Sequence, residues 1–238
     1  MKRAIVLLSG GLDSCVAAAM AREEGIELVA ALNVFYGQRH AREMKSFVEV
    51  AKHFGMEPIH LDISPIAQTI GAATSLINTD EELAMDRPLS SMTAHVPRTY
   101  VPGRNTIFLS LAQSVAEARD LDNIVVGFNA VDFSGYPDCR PIFVDAWNHL
   151  ARYATTRSYI KNQPIEVLAP IINMSKASVV YHGLRLKAPL EKTWSCYAGG
   201  EKACGRCDSC RIRWNGFAVN GQGRDPIHYE VVPDTVSL

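Results

Sequence analysis

Five runs of aliphatic and β-branched residues, at 4–8, 27–35, 58–63, 123–128 and 165–169, are short and nearly continuous in hydrophobicity. That pattern predicts strands buried on both faces rather than strands with one wet side. Between them, residues 12–24, 39–53, 106–120, 145–157 and 175–186 carry apolar side chains at three- and four-residue spacing with alanine-rich interiors, which predicts helices. Strand and helix in alternation give an α/β fold: a Rossmann-like parallel sheet of about five strands, helices on both faces, ligands at the strands' C-terminal ends.

Three segments break the rhythm. Residues 74–105 are polar, contain Pro88, Pro97 and Pro102, and are long for a connection, which favours a functional loop or an oligomer contact. Residues 128–141 are a second long connection. The third runs from Lys192 to the end; it is cysteine-rich and too small to build a core without a metal. The expected division is therefore a nucleotide-binding and catalytic domain over 1–191 and a helical, metal-binding C-terminal segment over 192–238.

Composition changes this picture only at the margins. With 24 Lys+Arg against 25 Asp+Glu, the net charge of −1 disfavours a surface that tracks nucleic acid, and no direct nucleic-acid partner is expected. The apolar run after Met1-Lys2-Arg3 stops at Leu8, before two glycines and an aspartate, so it reads as a buried strand and not a leader. No apolar stretch approaches bilayer length, so neither a membrane partner nor an anchor is expected, and the expected compartment is cytoplasmic. Of 6 cysteines, Cys196, Cys204, Cys207 and Cys210 crowd together near the C-terminus, the spacing of a metal site rather than of a disulfide framework.

The turn after the first strand carries the strongest chemical signal. Leu8-Ser9-Gly10-Gly11-Leu12-Asp13-Ser14 places unpaired backbone N–H groups and the positive end of a helix dipole around one point, an anion site. Gly10 and Gly11 allow a tight turn and close approach, and Ser9 and Ser14 add hydroxyl donors. Asp13 beside phosphates is repulsive without a cation, which assigns it to Mg²⁺ accompanying a polyphosphate. The loop lacks the Gly-Lys-Ser/Thr ending of a γ-phosphoryl-transferring nucleotide loop. The plain alternative is a Gly-Gly turn with Asp and Ser as a helix cap.

Cys204-Gly-Arg-Cys207-Asp-Ser-Cys210 with Cys196 upstream offers four thiolates able to close around one tetrahedral ion. Zinc is the first choice, in a closed structural site. Lys202, Arg206, Arg211 and Arg213 stand near in sequence to offset its charge. An iron–sulfur cluster, a redox pair and a disulfide are the alternatives. Of the two remaining cysteines, Cys15 reads as a packing residue inside the first helix.

Several edge segments supply candidate substrate groups. Asp132, Ser134, Tyr136, Asp138 and Arg140 follow the fourth strand and combine carboxylates, a hydroxyl, an aromatic plate and a guanidinium, an inventory suited to a flat, anionic heterocycle. A solvated turn is the competing reading. Arg104 opens a helix, Tyr36 and Gln38 close the second strand beside His40, and Lys176 starts a helix near the same edge. Each is equally an ordinary surface or capping residue by its local pattern alone.

The Ser-Gly-Gly-x-Asp-Ser loop resembles that of the PP-loop ATP pyrophosphatase superfamily at every fixed position. The resemblance implies an adenine nucleotide alpha hydrolase-like fold, ATP held by residues 8–14 with Lys176, Mg²⁺ at Asp13 and Ser14, and cleavage between the α and β phosphates. Taken with Tyr36-Gly-Gln-Arg-His40, Val101-Pro-Gly-Arg-Asn105, Ser134-Gly-Tyr-Pro-Asp-Cys-Arg-Pro141, Thr193-Trp-Ser-Cys-Tyr197 and the cysteine cluster, the chain resembles the 7-cyano-7-deazaguanine synthase family along nearly its whole length. That family likeness implies conversion of 7-carboxy-7-deazaguanine and ammonia to a nitrile precursor of queuosine. It also implies zinc on the four cysteines and a homodimer. Two other readings compete. A PP-loop tRNA thiolase predicts an iron–sulfur cluster or a persulfide-forming cysteine, and a zinc-ribbon nucleic-acid module predicts salt-sensitive RNA binding.

Overall fold

The computed structural model describes residues 1–37, 41–65, 69, 85–87, 100–129, 136–220 and 224–234. Strands β1 (Arg3–Leu7), β2 (Glu27–Phe35), β3 (Glu57–Asp62), β4 (Asn123–Val126) and β5 (Glu166–Leu168) form one sheet in the order β3-β2-β1-β4-β5. Every pairing is parallel. Helices α1 (Leu12–Glu23), α2 (Ala41–Phe54), α3 (Arg104–Ala118), α4 (Pro141–Ala154), α5 (Thr156–Lys161), α6 (Lys176–Arg185) and α7 (Asp208–Asn220) surround it. The chain winds outward from β1 to β3, then returns to place β4 on the other side of β1. The turns after β1 and β4 thus diverge and leave a crevice at the sheet's C-terminal edge.

Alternation along each strand sorts side chains between two cores. From β1, Ala4 and Val6 join Ala17, Ala18 and Ala21 of α1 and Val50 of α2. Ile5 points the other way, to Leu109, Ala112 and Ala116 of α3. In β2, Leu28 belongs to the first core but Ala30, Leu32 and Val34 to the second, because a register shift opposite Ala4 and Ile5 inserts Val29 and flips the alternation. The alanines of α1 bring that helix close to the sheet, and α6 covers its outer side, so α1 is buried on almost every face. Gly183 of α6 sits where an added Cβ would lie 2.9 Å from Val16 Cγ2, which sets how closely these helices pack.

Helix α7 packs on α6 and joins the C-terminal segment to the body. Its Arg213 is fully buried and its guanidinium is spent entirely inside the protein. Nε and Nη2 donate to Asp225 at 2.7 and 3.0 Å, Nη1 to Thr193 Oγ1 at 2.7 Å and Ser195 Oγ at 3.3 Å, and Nη2 to the Leu190 carbonyl at 3.2 Å. Tyr229 OH and the Ile227 N–H donate to the same Asp225 carboxylate. A buried charge pair costs desolvation and is tolerable when all its donors and acceptors are met, as here. No helix among the described residues is long and apolar enough to cross a membrane.

Candidate active site and metal centre

A cavity of about 320 Å³ opens at the crevice between the β1 and β4 turns. Its floor is the loop 8–14. Gly11 caps α1 with no side-chain hydrogen bond, so the helix's leading N–H groups keep their capacity for an anion. Within the loop, Ser9 Oγ accepts from the Gly11 N–H at 3.1 Å and lies 3.2 Å from Ser14 Oγ, which holds the hydroxyls inward. Gly10 has φ +90°, and an ideal Cβ there would stand 2.6 Å from Phe47 N and 2.7 Å from the Glu43 carbonyl oxygen. Only glycine fits between this loop and α2. Gly127, after β4, is equally constrained: a Cβ would lie 2.6 Å from Ser14 N. Leu8 and Leu12 are buried and fix both ends of the loop.

One side wall carries charge. Lys176 Nζ donates to both carboxylate oxygens of Asp13, at 2.6 and 2.8 Å. Lys176 opens α6, and its stem runs over Gly216 of α7, where a Cβ would lie 2.6 Å from Lys176 Cγ. The ammonium is therefore threaded from α6, past α7, to the first turn of α1.

The far wall is aromatic. Arg104, the first residue of α3, lies with its guanidinium carbon 5.9 Å from the Tyr36 and Phe108 ring centres and 6.0 Å from that of Tyr136, and donates to Tyr36 OH at 3.5 Å. This collar orients a cation by cation–π attraction, and Arg104 Nε has no hydrogen-bond partner among the described residues. Glu43, from the first turn of α2, also lines the cavity. Burial pushes its carboxyl up from 4.5 to about 7, against the opposing pull of Arg104. Cys139 lines the same wall, its thiol pushed up to about 12 chiefly by burial and then by Asp138, so it stays protonated and is a poor nucleophile.

Beside the loop, Cys196, Cys204, Cys207 and Cys210 bring their sulfurs within 4.8 Å of one another, an arrangement able to hold a metal ion. All are thiols without disulfides; Cys204 is half-buried and the rest buried. Cys204 and Cys210 sulfurs lie 3.9 Å apart, and four sulfurs on a tetrahedral zinc at about 2.3 Å would be about 3.8 Å apart. Backbone N–H groups of Ala198 and Cys204 point at Cys196 Sγ, and those of Arg206 and Cys207 at Cys204 Sγ, as suits thiolate acceptors. Hydrogen bonds from Cys207 and Cys210 pull the Cys196 thiol far down, while Cys196 in turn pushes Cys207 up to about 12. The donor set fits a divalent ion. Of the nearby cations, Arg206 pairs with Asp86 and stays near Cys204, whereas Arg213 belongs to Asp225.

The metal segment touches the nucleotide loop directly. Trp194 N–H donates to the Gly10 carbonyl at 2.9 Å, and Arg42 of α2 stacks on the Trp194 ring at 5.0 Å. Ser195, Cys196 and Tyr197 continue into the cavity wall.

Of the residues singled out from sequence, Ser9, Gly11, Leu8, Leu12, Asp13, Ser14, Tyr36, Arg104, Tyr136 and Lys176 border this one cavity. Gly10 lies just behind it, against α2. Asp138 is buried next to the wall and outside the lining: its Oδ2 accepts from the Asn105 N–H at 3.2 Å and its carbonyl from Asn105 Nδ2 at 3.1 Å, while its Oδ1 has no hydrogen-bond partner among the described residues. Arg140 is exposed and is not among the cavity's lining. Gln38, Asp132 and Ser134 lie outside the described residues, as do positions 74–84 and 88–99 of the segment 74–105. Sequence reasoning passed over Glu43, Trp194 and Asn33. The available signal for Glu43 was its place one helical turn beyond the polar cluster that closes β2.

A model of the family described as queuosine biosynthesis protein QueC matches residues 3–221. The 7-cyano-7-deazaguanine synthase of Thermoplasma acidophilum is 45% identical over 98% of this chain and 94% of its own. That of Oceanobacillus iheyensis is 42% identical over 96% of this chain and 98% of its own. Among solved structures, NMN synthetase from Francisella tularensis is similar at 16% identity and a TM-score of 0.47, over 94% of this chain and 79% of that one.

Proposed function

We infer the reaction from one premise: this chain belongs to the family of queuosine biosynthesis protein QueC, and its activity is the ATP-dependent synthesis of 7-cyano-7-deazaguanine. The observation that supports it best is the single cavity with anion-binding N–H groups at one end and the Arg104 collar at the other. The carboxylate of 7-carboxy-7-deazaguanine is a poor electrophile, so one ATP converts it to an acyl adenylate and releases pyrophosphate. Ammonia displaces AMP and leaves an amide. A second ATP adenylates the amide oxygen, and loss of AMP gives the nitrile.

The chain's residues act mainly by position and charge. Loop residues 9–14 cradle the triphosphate. Lys176, paired with Asp13, stands where it can meet the phosphates, and Asp13 with Ser14 would hold a Mg²⁺, which would screen their charge. Arg104 pairs with the substrate's carboxylate, and Tyr36 and Tyr136 give the flat ring apolar faces. Cys196, Cys204, Cys207 and Cys210 would hold a zinc ion whose contribution would be structural, steadying the segment that sets Trp194 against Gly10. Asp138 supports the aromatic wall through Asn105, and Gln38, Asp132 and Ser134 are the sequence's further candidates for contacting the substrate. The protein works as a homodimer in the cytoplasm.

Incubation with ATP, ammonium and the carboxylated deazaguanine, followed by mass spectrometry, is expected to give AMP, pyrophosphate, an amide that rises and falls, and the nitrile. ADP as the nucleotide product overturns the reading. A colourless protein with one zinc per chain separates it from a thiolase carrying an iron–sulfur cluster.

A further inference from the structure

Making a nitrile from ammonium strips every proton from one nitrogen, so the site needs a proton acceptor near the reacting carbon. The lining offers few. Asp13 is engaged by Lys176 on both oxygens. The Cys139 thiol and the Tyr36 and Tyr197 phenols are pushed up by burial and hold their protons. Asp138 is turned to the start of α3. Glu43 remains.

Its position is apt. The Glu43 carbonyl packs on Gly10, so the side chain leaves a backbone pressed against the nucleotide loop, and it faces the cavity on the side of Arg104. It therefore lies between the phosphate cradle and the guanidinium that would hold the substrate carboxylate. The groups that act electrostatically on it among the described residues are Arg104 from α3 and Tyr36 from the end of β2. No hydrogen bond or ion pair among the described residues occupies the carboxylate. A carboxyl raised to about 7 exchanges protons readily near neutral pH.

We propose that the Glu43 carboxylate is the proton acceptor of both halves of the reaction. The role rests on the reaction inferred above. In the first half it takes a proton from ammonium; the freed lone pair forms the C–N bond, and the C–O bond to AMP breaks with its electrons on the phosphate oxygen. A second N–H proton follows the same route and leaves a neutral amide. In the second half it takes the N–H protons of the adenylated amide, whose bonding electrons become the carbon–nitrogen multiple bond as AMP departs. Between transfers Glu43 returns its proton to water.

The test separates adenylation from nitrogen chemistry. In Glu43→Gln, ATP–pyrophosphate exchange dependent on the carboxylated deazaguanine is expected to persist within a few-fold. Amide formation from ammonium at pH 7 should fall on the order of 10²- to 10⁴-fold, the usual worth of a positioned acid or base. Hydroxylamine, already unprotonated at that pH, needs one proton removed where ammonium needs two, so its conversion to the hydroxamate should fall much less than amide formation from ammonium. Equal losses with ammonium and hydroxylamine, or loss of exchange, overturn the proposal and make Glu43 a binding or packing residue. Glu43→Asp, which keeps the carboxylate, should recover part of the ammonium-dependent rate; no recovery in a folded, exchange-competent protein counts against it. Absence of AMP and pyrophosphate from the unsubstituted protein would instead defeat the inferred reaction itself.

Discussion

Asp13 and Glu43 are both carboxylates of one cavity, and their surroundings give them opposite characters. Both oxygens of Asp13 accept from the Lys176 ammonium. Asp13→Ala is expected to abolish AMP formation in both steps, read by nucleotide chromatography, while zinc content stays at one per chain and the circular dichroism of the fold is unchanged. Glu43 carries a cost instead. Its carboxyl titrates at 4.5 when unfolded and about 7 when folded, so between those values the native state binds the extra proton and stability falls as pH rises. Glu43→Gln should therefore be more stable than the unsubstituted protein at pH 8, with the gain shrinking to nothing below pH 4.5, in urea melts at matched pH without ATP. A side chain that destabilises its own fold at working pH is what a functional group looks like in stability data.

At the scale of elements, spacing is set by glycines that an added methyl group would block. Gly127→Ala puts a Cβ 2.6 Å from Ser14 N, against backbone that cannot swing aside, and is expected to cost about 1–3 kcal/mol. ATP affinity should fall with it, as measured by calorimetry, because the start of α1 must move. The sheet itself was legible in sequence: the strands predicted at 27–35 and 123–128 appear as Glu27–Phe35 and Asn123–Val126, since β-branched runs bounded by helices leave little choice. The helix predicted at 145–157 is instead two, Pro141–Ala154 and Thr156–Lys161, with Thr155 capping the second by accepting from the Ser158 N–H. The apolar spacing carries across that break, so periodicity could not reveal it. Helix α7 was foreseen only as a helical metal segment without bounds, because its periodicity is masked by cysteines and by a buried arginine that hydropathy counts as surface.

Across the whole molecule, the metal centre and the nucleotide loop form one unit joined at Trp194 and Gly10. Removing with a chelator the zinc proposed for the four cysteines is expected to lower the melting temperature and ATP binding together, in step with metal lost. Cys207→Ser should cost about 3 kcal/mol, near 6–12 °C in Tm at the ~2–4 °C per kcal/mol of a chain this size. Loss of activity at full ATP affinity would contradict the coupling. This union was invisible in sequence, where the two motifs stand at opposite ends of the chain; proximity in space leaves no local signature, whereas each motif by itself was plain from its spacing. The same contact has a consequence for synthesis. The loop leaves the ribosome long before its partners: the carbonyl of Gly10 waits for Trp194, and Asp13 waits for Lys176. Such distant pairings close late. A growing chain thus carries the nucleotide motif without a working nucleotide site, and competence to bind ATP arrives only once Trp194 has been made.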